Sequence, residues 1–175
     1  IENGQVHGVS ATDVQKILNL KHAWEFILDR DVIQSESNYH MLCHIAKLVN
    51  EGFFYDGGSI RGIPVQIGGT SYVPPLPIET VVVERIDEIR SQDKEPIEIA
   101  IELCMYCMKT QVFKDGNKRA SVIFANHYLI AQGMGFLVIP EKDVPEFKKL
   151  LVQYYEGEPL EVIGTFLKER CWKNF

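Results

Sequence analysis

Gln111-Val-Phe-Lys-Asp-Gly-Asn-Lys-Arg119 is the stretch that decides how the rest of the chain is read. It joins two helical patterns, Pro96 to Lys109 and Asn117 to Gln132, through a tight polar loop holding Asp115, Gly116 and Asn117. Gly116 opens backbone geometry closed to other residues. A helix beginning at about Asn117 turns its unpaired N–H groups and positive dipole end towards whatever sits in that loop. Lys118 and Arg119 add cationic side chains at the same end. These are the parts of a phosphate site, and Asp115 is placed to hold a divalent cation bridging the phosphates. Taken alone, the loop also fits a solvated interhelical turn, because Asp-Gly-Asn is a common turn sequence.

Outward from the loop the chain reads as helical. Ser10-Ala-Thr-Asp13 has the form of a helix-opening capping box, followed by Val14, Ile17 and Leu18 at helical spacing. Further helices are expected over Lys21 to Asp29 and Ser37 to Val49. Another should open at Pro77 and carry Val81, Val82, Ile86 and Ile89. Beyond the two helices that flank the loop, the last pair falls at Asp143 to Tyr154 and Pro159 to Glu169. Only Ile63 to Val73 reads as extended, with a small hairpin expected around Gly68-Gly69. The expectation is an all-α fold with one hairpin, in a single domain over residues 1–175.

The bulk properties narrow the function. A chain of 175 residues, 46% apolar and 24% charged, suits one soluble domain with its own core. A net charge of −6 argues against direct nucleic-acid binding. No apolar run approaches the roughly 20 residues that cross a bilayer, and no signal peptide opens the chain. The first residue is Ile1, so the chain is expected to be a trimmed piece. Cys104 and Cys107 have CxxC spacing, but no second pair or histidine pair completes a zinc site. The pair sits inside the apolar stretch Ile97 to Met108 and reads as buried thiols packed between helices; Cys43 and Cys171 are the other two cysteines, and a reducing cytoplasm fits this reading. His40 and His44 share a helix face without a third ligand nearby. Trp24, Tyr72, Tyr154 and Tyr155 read as packing residues, with Tyr154 or Tyr155 available to line an adenine pocket.

The loop and its surroundings resemble the Fic family. Its motif, H-x-F-x-D/E-G-N-x-R, is matched by Phe113, Asp115, Gly116, Asn117 and Arg119 at the correct spacing. Asn126 and Gly133 fall where the family has the Asn of the next helix and the Gly that ends it. Arg61 to Pro77 resembles the Fic flap, with its R-x-x-x-V-x-I-G-G core and proline cluster. Met41 to Gly52 resembles the preceding helix. The resemblance implies a helical domain that transfers AMP from ATP to a protein hydroxyl. It further implies that Asp115 binds Mg²⁺, that Gly116, Asn117, Lys118 and Arg119 hold the phosphates, and that Phe113 anchors the loop. The flap, Ile67, Gly68, Gly69 and Thr70, would present the target segment as an added strand. The implied partners are a protein substrate or interaction partner, with room for a homo-oligomer and no membrane.

Departures from the motif carry equal weight. Gln111 stands at the position of the histidine that serves the family as general base. A carboxamide can hydrogen-bond but cannot take a proton at neutral pH. Loss of a general base removes about 10²–10⁴ in rate. The expected function is therefore an impaired adenylyltransferase. The alternatives are a nucleotide-binding interaction protein that transfers nothing, and a phosphotransferase like the Doc toxins, whose G-N-K-R sequence Lys118 reproduces. At the other end, Glu2-Asn3 resembles the close of the Fic inhibitory motif, S/T-x-x-x-E-G/N, with residues 1–20 as the remnant of that region. The resemblance implies that Glu2 pairs with Arg119 and blocks placement of the γ-phosphate. A further implied reading has Glu2 activating water to remove AMP from a protein.

Overall fold

In the computed structural model, residues 5–6 and 8–174 are described. Eight α-helices follow one another: α1 (Ala11–Ile27), α2 (Arg30–Ile33), α3 (Tyr39–Val49), α4 (Glu79–Arg90), α5 (Pro96–Thr110), α6 (Asn117–Ala131), α7 (Val144–Tyr155) and α8 (Leu160–Phe166). A turn of π-helix, Leu167–Cys171, extends α8. A 3-10 turn, Glu141–Asp143, leads into α7, and two ladders of two residues complete the described elements: β1 (Gln5–Val6) against β2 (Val9–Ser10), and β3 (Phe136–Leu137) against β4 (Trp172–Lys173), both antiparallel. The expected all-α class is what forms. No helix is long and apolar enough to cross a membrane among the described residues.

α5 is the central element because it is apolar on nearly every side. Ile97, Ala100, Leu103, Met105, Cys107 and Met108 are all buried, and Pro96 starts the helix where a missing N–H is harmless. α6 packs along it through Ala120, Ile123, Phe124 and Leu129; α3 and then α1 cover α6, while α4 and α8 flank α5. The α5–α6 pair is therefore held in the core, and the loop between the two helices inherits that rigidity.

Three local readings are corrected. α1 is one helix of 17 residues rather than two, opened by Ser10 as expected, whose Oγ accepts from the Asp13 N–H at 3.1 Å. Its inner stripe is Asn19, Ala23 and Ile27, while Ile17 and Leu18 face outwards. The reason is polar: Asn19 Nδ2 donates to the Val49 and Glu51 carbonyls at 3.1 and 2.8 Å, satisfying acceptors left at the end of α3. Second, the expected hairpin at 63–73 makes no ladder. The reversal occurs at Gly68-Gly69, with Gly69 at φ +85, but the segment stays an open loop. Third, β3 and β4 were not anticipated. Buried Asn126 clamps β3 by donating to the Leu137 carbonyl at 2.8 Å and accepting from the Leu137 N–H at 2.7 Å.

The thiols lie where packing puts them. Cys104, Cys107 and Cys171 are buried, and Cys43 is half-buried. Burial pushes the Cys104 thiol up to about 12 and Cys171 up to about 11. Since the thiolate is the reactive form, a disulfide-exchange reagent at pH 8 should label Cys43 alone in the native chain and all four thiols after unfolding. Rapid native labelling of Cys104 or Cys107 would show that the CxxC pair is reactive rather than packed away.

Candidate nucleotide site

Gln111 ends α5 in the left-handed region, φ 50 and ψ 62, where its N–H donates to the Cys107 carbonyl at 3.2 Å. It is the only non-glycine residue with positive φ among those described. That conformation carries a penalty of about 1–2 kcal/mol for a residue with a Cβ, so something must hold it. Arg61 does: its Nε donates to the Gln111 carbonyl at 2.5 Å, and its backbone N–H to the Val112 carbonyl at 2.9 Å. The carboxamide is also engaged. Nε2 donates to the Met108 carbonyl at 2.6 Å, and Oε1 accepts from Asn117 Nδ2 at 3.2 Å.

The next residues turn inward. Val112 and Phe113 are buried, and Asn117 closes the loop over Phe113 with a reciprocal pair. Its Oδ1 accepts from the Phe113 N–H at 2.9 Å, and its Nδ2 donates to the Phe113 carbonyl at 2.8 Å. Gly116 sits at φ +74 as the N-cap of α6, with no side chain capping the helix. The N–H groups of the first turn, Asn117 to Arg119, consequently have no helical partner and their dipole end faces the loop. Beneath it, buried Asn50 donates through Nδ2 to the Asp115 and Gly57 carbonyls, both at 3.0 Å.

A cavity of about 340 Å³ opens above this floor, lined by residues 65–68 on one side and by Gln111 and residues 114–119 on the other. The cavity thus brings together Gln111, Asp115, Gly116, Asn117, Lys118 and Arg119 with Ile67 and Gly68 of the flap. Gly69 and Thr70 are not part of its lining; Thr70 Oγ1 instead donates to Glu156 Oε1 at 2.8 Å. Glu2 lies outside the described residues. Asp115 keeps its carboxylate half-exposed and lies 3.4 Å from Arg119 Nη2. Arg119 Nη1 is buried without a hydrogen-bond partner among the described residues, an arrangement that favours an anion. Lys118 is exposed, and Lys114 is tied to Asp56 by an ion pair.

Neither tyrosine considered for an adenine pocket reaches the cavity. Tyr155 is buried and stacks on Tyr72 with ring centroids 6.0 Å apart, while Tyr154 packs under Lys109 Nζ at 4.6 Å from its ring. Sequence reasoning missed two supports of the site, Asn50 and Glu156, and placed Arg61 in the flap pattern without its hydrogen-bonding role. The signal for Arg61 was its place at the head of the R-x-x-x-V-x-I-G-G pattern. Nothing local marks Asn50, which reaches Asp115 across 65 positions.

A model described as the Fic/DOC family matches residues 36–129. Among solved structures, the chain is similar to a fragment of Fic-1 from C. elegans, at 19% identity and TM-score 0.73, covering 95% of this chain and 52% of that one. It is also similar to a Fic domain containing signaling protein from Bacteroides thetaiotaomicron, at 17% identity and TM-score 0.68, covering 94% and 70%. The chain thus spans about half the length of the Fic-1 fragment. No curated protein matches the sequence.

Proposed function

The chain belongs to the Fic/DOC family, and from this we propose that it binds ATP with Mg²⁺ at the N-terminus of α6. On this reading it is a Fic-type adenylyltransferase of protein hydroxyl groups, with transfer impaired at Gln111. The observation that carries the reading is the single cleft. One wall is the flap segment 65–68; the other is the start of α6, which no side chain caps among the described residues, with Gly116, Lys118 and Arg119. Such an assembly suits phosphate oxygens. The half-exposed Asp115 carboxylate suits a hard cation, which would neutralise phosphate charge there.

AMP transfer forms a bond from the target oxygen to the α-phosphorus and breaks the bond to pyrophosphate. The hydroxyl proton must go to a base. Gln111 has none to offer, and both ends of its carboxamide are already bonded to Met108 and Asn117. That engagement favours a second reading, a nucleotide-binding interaction protein without transfer. Exposed Lys118 supports phosphoryl transfer as a variant of the first. Position-specific label separates the three. Incorporation from ATP labelled at the α-phosphate reports AMP, and from the γ-phosphate a phosphoryl group. Nucleotide binding with neither label supports the non-catalytic reading. Failure of both ATP and ADP to bind with Mg²⁺ in calorimetry, even with Glu2 removed, would refute all three.

Asp115→Ala separates the metal from the phosphates. In Mg²⁺ the variant should bind ADP on the order of tenfold more weakly, the effect of losing one charge-assisted contact. In a chelator it should bind no worse than the native chain, since Arg119 loses its only ion-pair partner among the described residues and is freed for phosphate. Equal losses in both buffers would mean that Asp115 shapes the loop rather than holding a cation.

A further inference from the structure

No backbone–backbone hydrogen bond joins residues 64–70 to the rest of the protein among the described residues, although Val65 to Gly68 line the cleft. Side chains hold it. Arg61 is 2% exposed, and no carboxylate pairs with it among the described residues. Five carbonyl oxygens take that role instead. Nη1 donates to Ile63 at 2.9 Å; Nη2 donates to Pro75 at 2.6 Å, with longer contacts to Pro74 and Thr110 at 3.4 and 3.5 Å; Nε donates to Gln111. One guanidinium thus ties both ends of the flap to each other and to the end of α5. The far side is fastened separately. Glu156, just past α7, accepts from Thr70 Oγ1 and from the Ser71 N–H at 3.3 Å, and the Thr70 hydroxyl accepts from the Tyr72 N–H at 3.1 Å.

We propose that Arg61 and Glu156 are positioning residues that hold the flap as a pre-formed edge for an extended protein segment, with Arg61 linking that edge to the backbone of Gln111. This rests on the proposed function. A planar fork reaches several acceptors in fixed directions, which a lysine ammonium cannot do. Because the fasteners are side chains, the main-chain groups of Val65, Gln66 and Ile67 stay unspent beside the cleft, available to an added strand. A flap already ordered removes an entropy loss from binding that segment.

Backbone ¹⁵N relaxation tests this on the native chain, Arg61→Lys, Glu156→Ala and Glu156→Gln. Flap amides from Val65 to Tyr72 should show order parameters of about 0.85 in the native protein, falling below about 0.6 in Arg61→Lys. In Glu156→Ala the fall should be confined to residues 69–72. Glu156→Gln keeps an acceptor oxygen and should retain native order. Amides of α5 should not change in any variant. The proposal is overturned if the flap keeps its order in both Arg61→Lys and Glu156→Ala, or if α5 loosens as much as the flap. If Arg61→Lys fails to fold, the contrast between the two Glu156 variants decides. Adding Mg²⁺ and ADP to the native chain tests the nucleotide reading separately: no shift of the α6 N-terminal amides counts against that reading alone, and the clamp is still decided by the order parameters.

Discussion

The double variant Gln111→His, Glu2→Gly should label itself with AMP about 10²–10⁴-fold faster than the native chain, while either single variant stays within about tenfold of it. Position 111 can accept the change. Histidine enters the left-handed region more readily than most residues, and the Arg61 bond that fixes this conformation goes to the backbone carbonyl rather than the side chain. The imidazole would also lie at the edge of the cleft that Gln111 lines. A base without aligned ATP gains little, and on the family resemblance Glu2 holds Arg119 away from the γ-phosphate. The gain should therefore be non-additive. A double variant that binds ATP and stays silent would favour the interaction-protein reading, with Lys118 also disabling transfer. Brisk labelling by the native chain would show that proton removal does not depend on position 111.

Gly116→Ala should lower stability by about 2–5 kcal/mol, or roughly 5–15 °C in melting temperature. An added Cβ would lie 2.7 Å from Asn50 Oδ1 and 3.0 Å from Val49 Cγ1, on a backbone at φ +74. Asn50 cannot withdraw without releasing the Asp115 and Gly57 carbonyls. On the proposed function, ADP affinity should fall with stability, because the same residue opens the helix end proposed to hold the phosphates. Gly62→Ala is the matched control: its Cβ would meet nothing within 4 Å, and it should melt within about 2 °C of the native chain. If Gly116→Ala melts that close to native as well, the loop is not held from below by Asn50.

The loop from Asp115 to Arg119 was legible as a turn into a helix because its signals are local. A glycine at a helix start, an acid before it and cations after it stand within five consecutive positions, and their geometry follows from the helix end itself. Most helix positions were legible for the same reason, since Pro96 and the Ser10 box mark boundaries by backbone chemistry. The flap was half legible. Gly69 gave the reversal, but the absence of a ladder depends on Arg61 binding carbonyls up to 50 positions away, which no short-range pattern records. The inward face of α1 was misread because apolar spacing ranked Ile17 and Leu18 above Asn19. What turned the helix was the pair of acceptors left by α3, a demand visible only once the two helices are packed.

By itself, then, the sequence determined the helical class, the order of the main helices and the position of the loop from Asp115 to Arg119 at a helix start, since each rests on contacts within a turn or two of chain. Tertiary structure decided the rest: the left-handed turn at Gln111, the engagement of its carboxamide, the ladder-free flap and the floor under Gly116. All of these are set by buried polar groups, Arg61, Asn50 and Asn117, whose partners must be found wherever folding brings acceptors within reach, because leaving them unpaired in the core costs more than bending the local backbone.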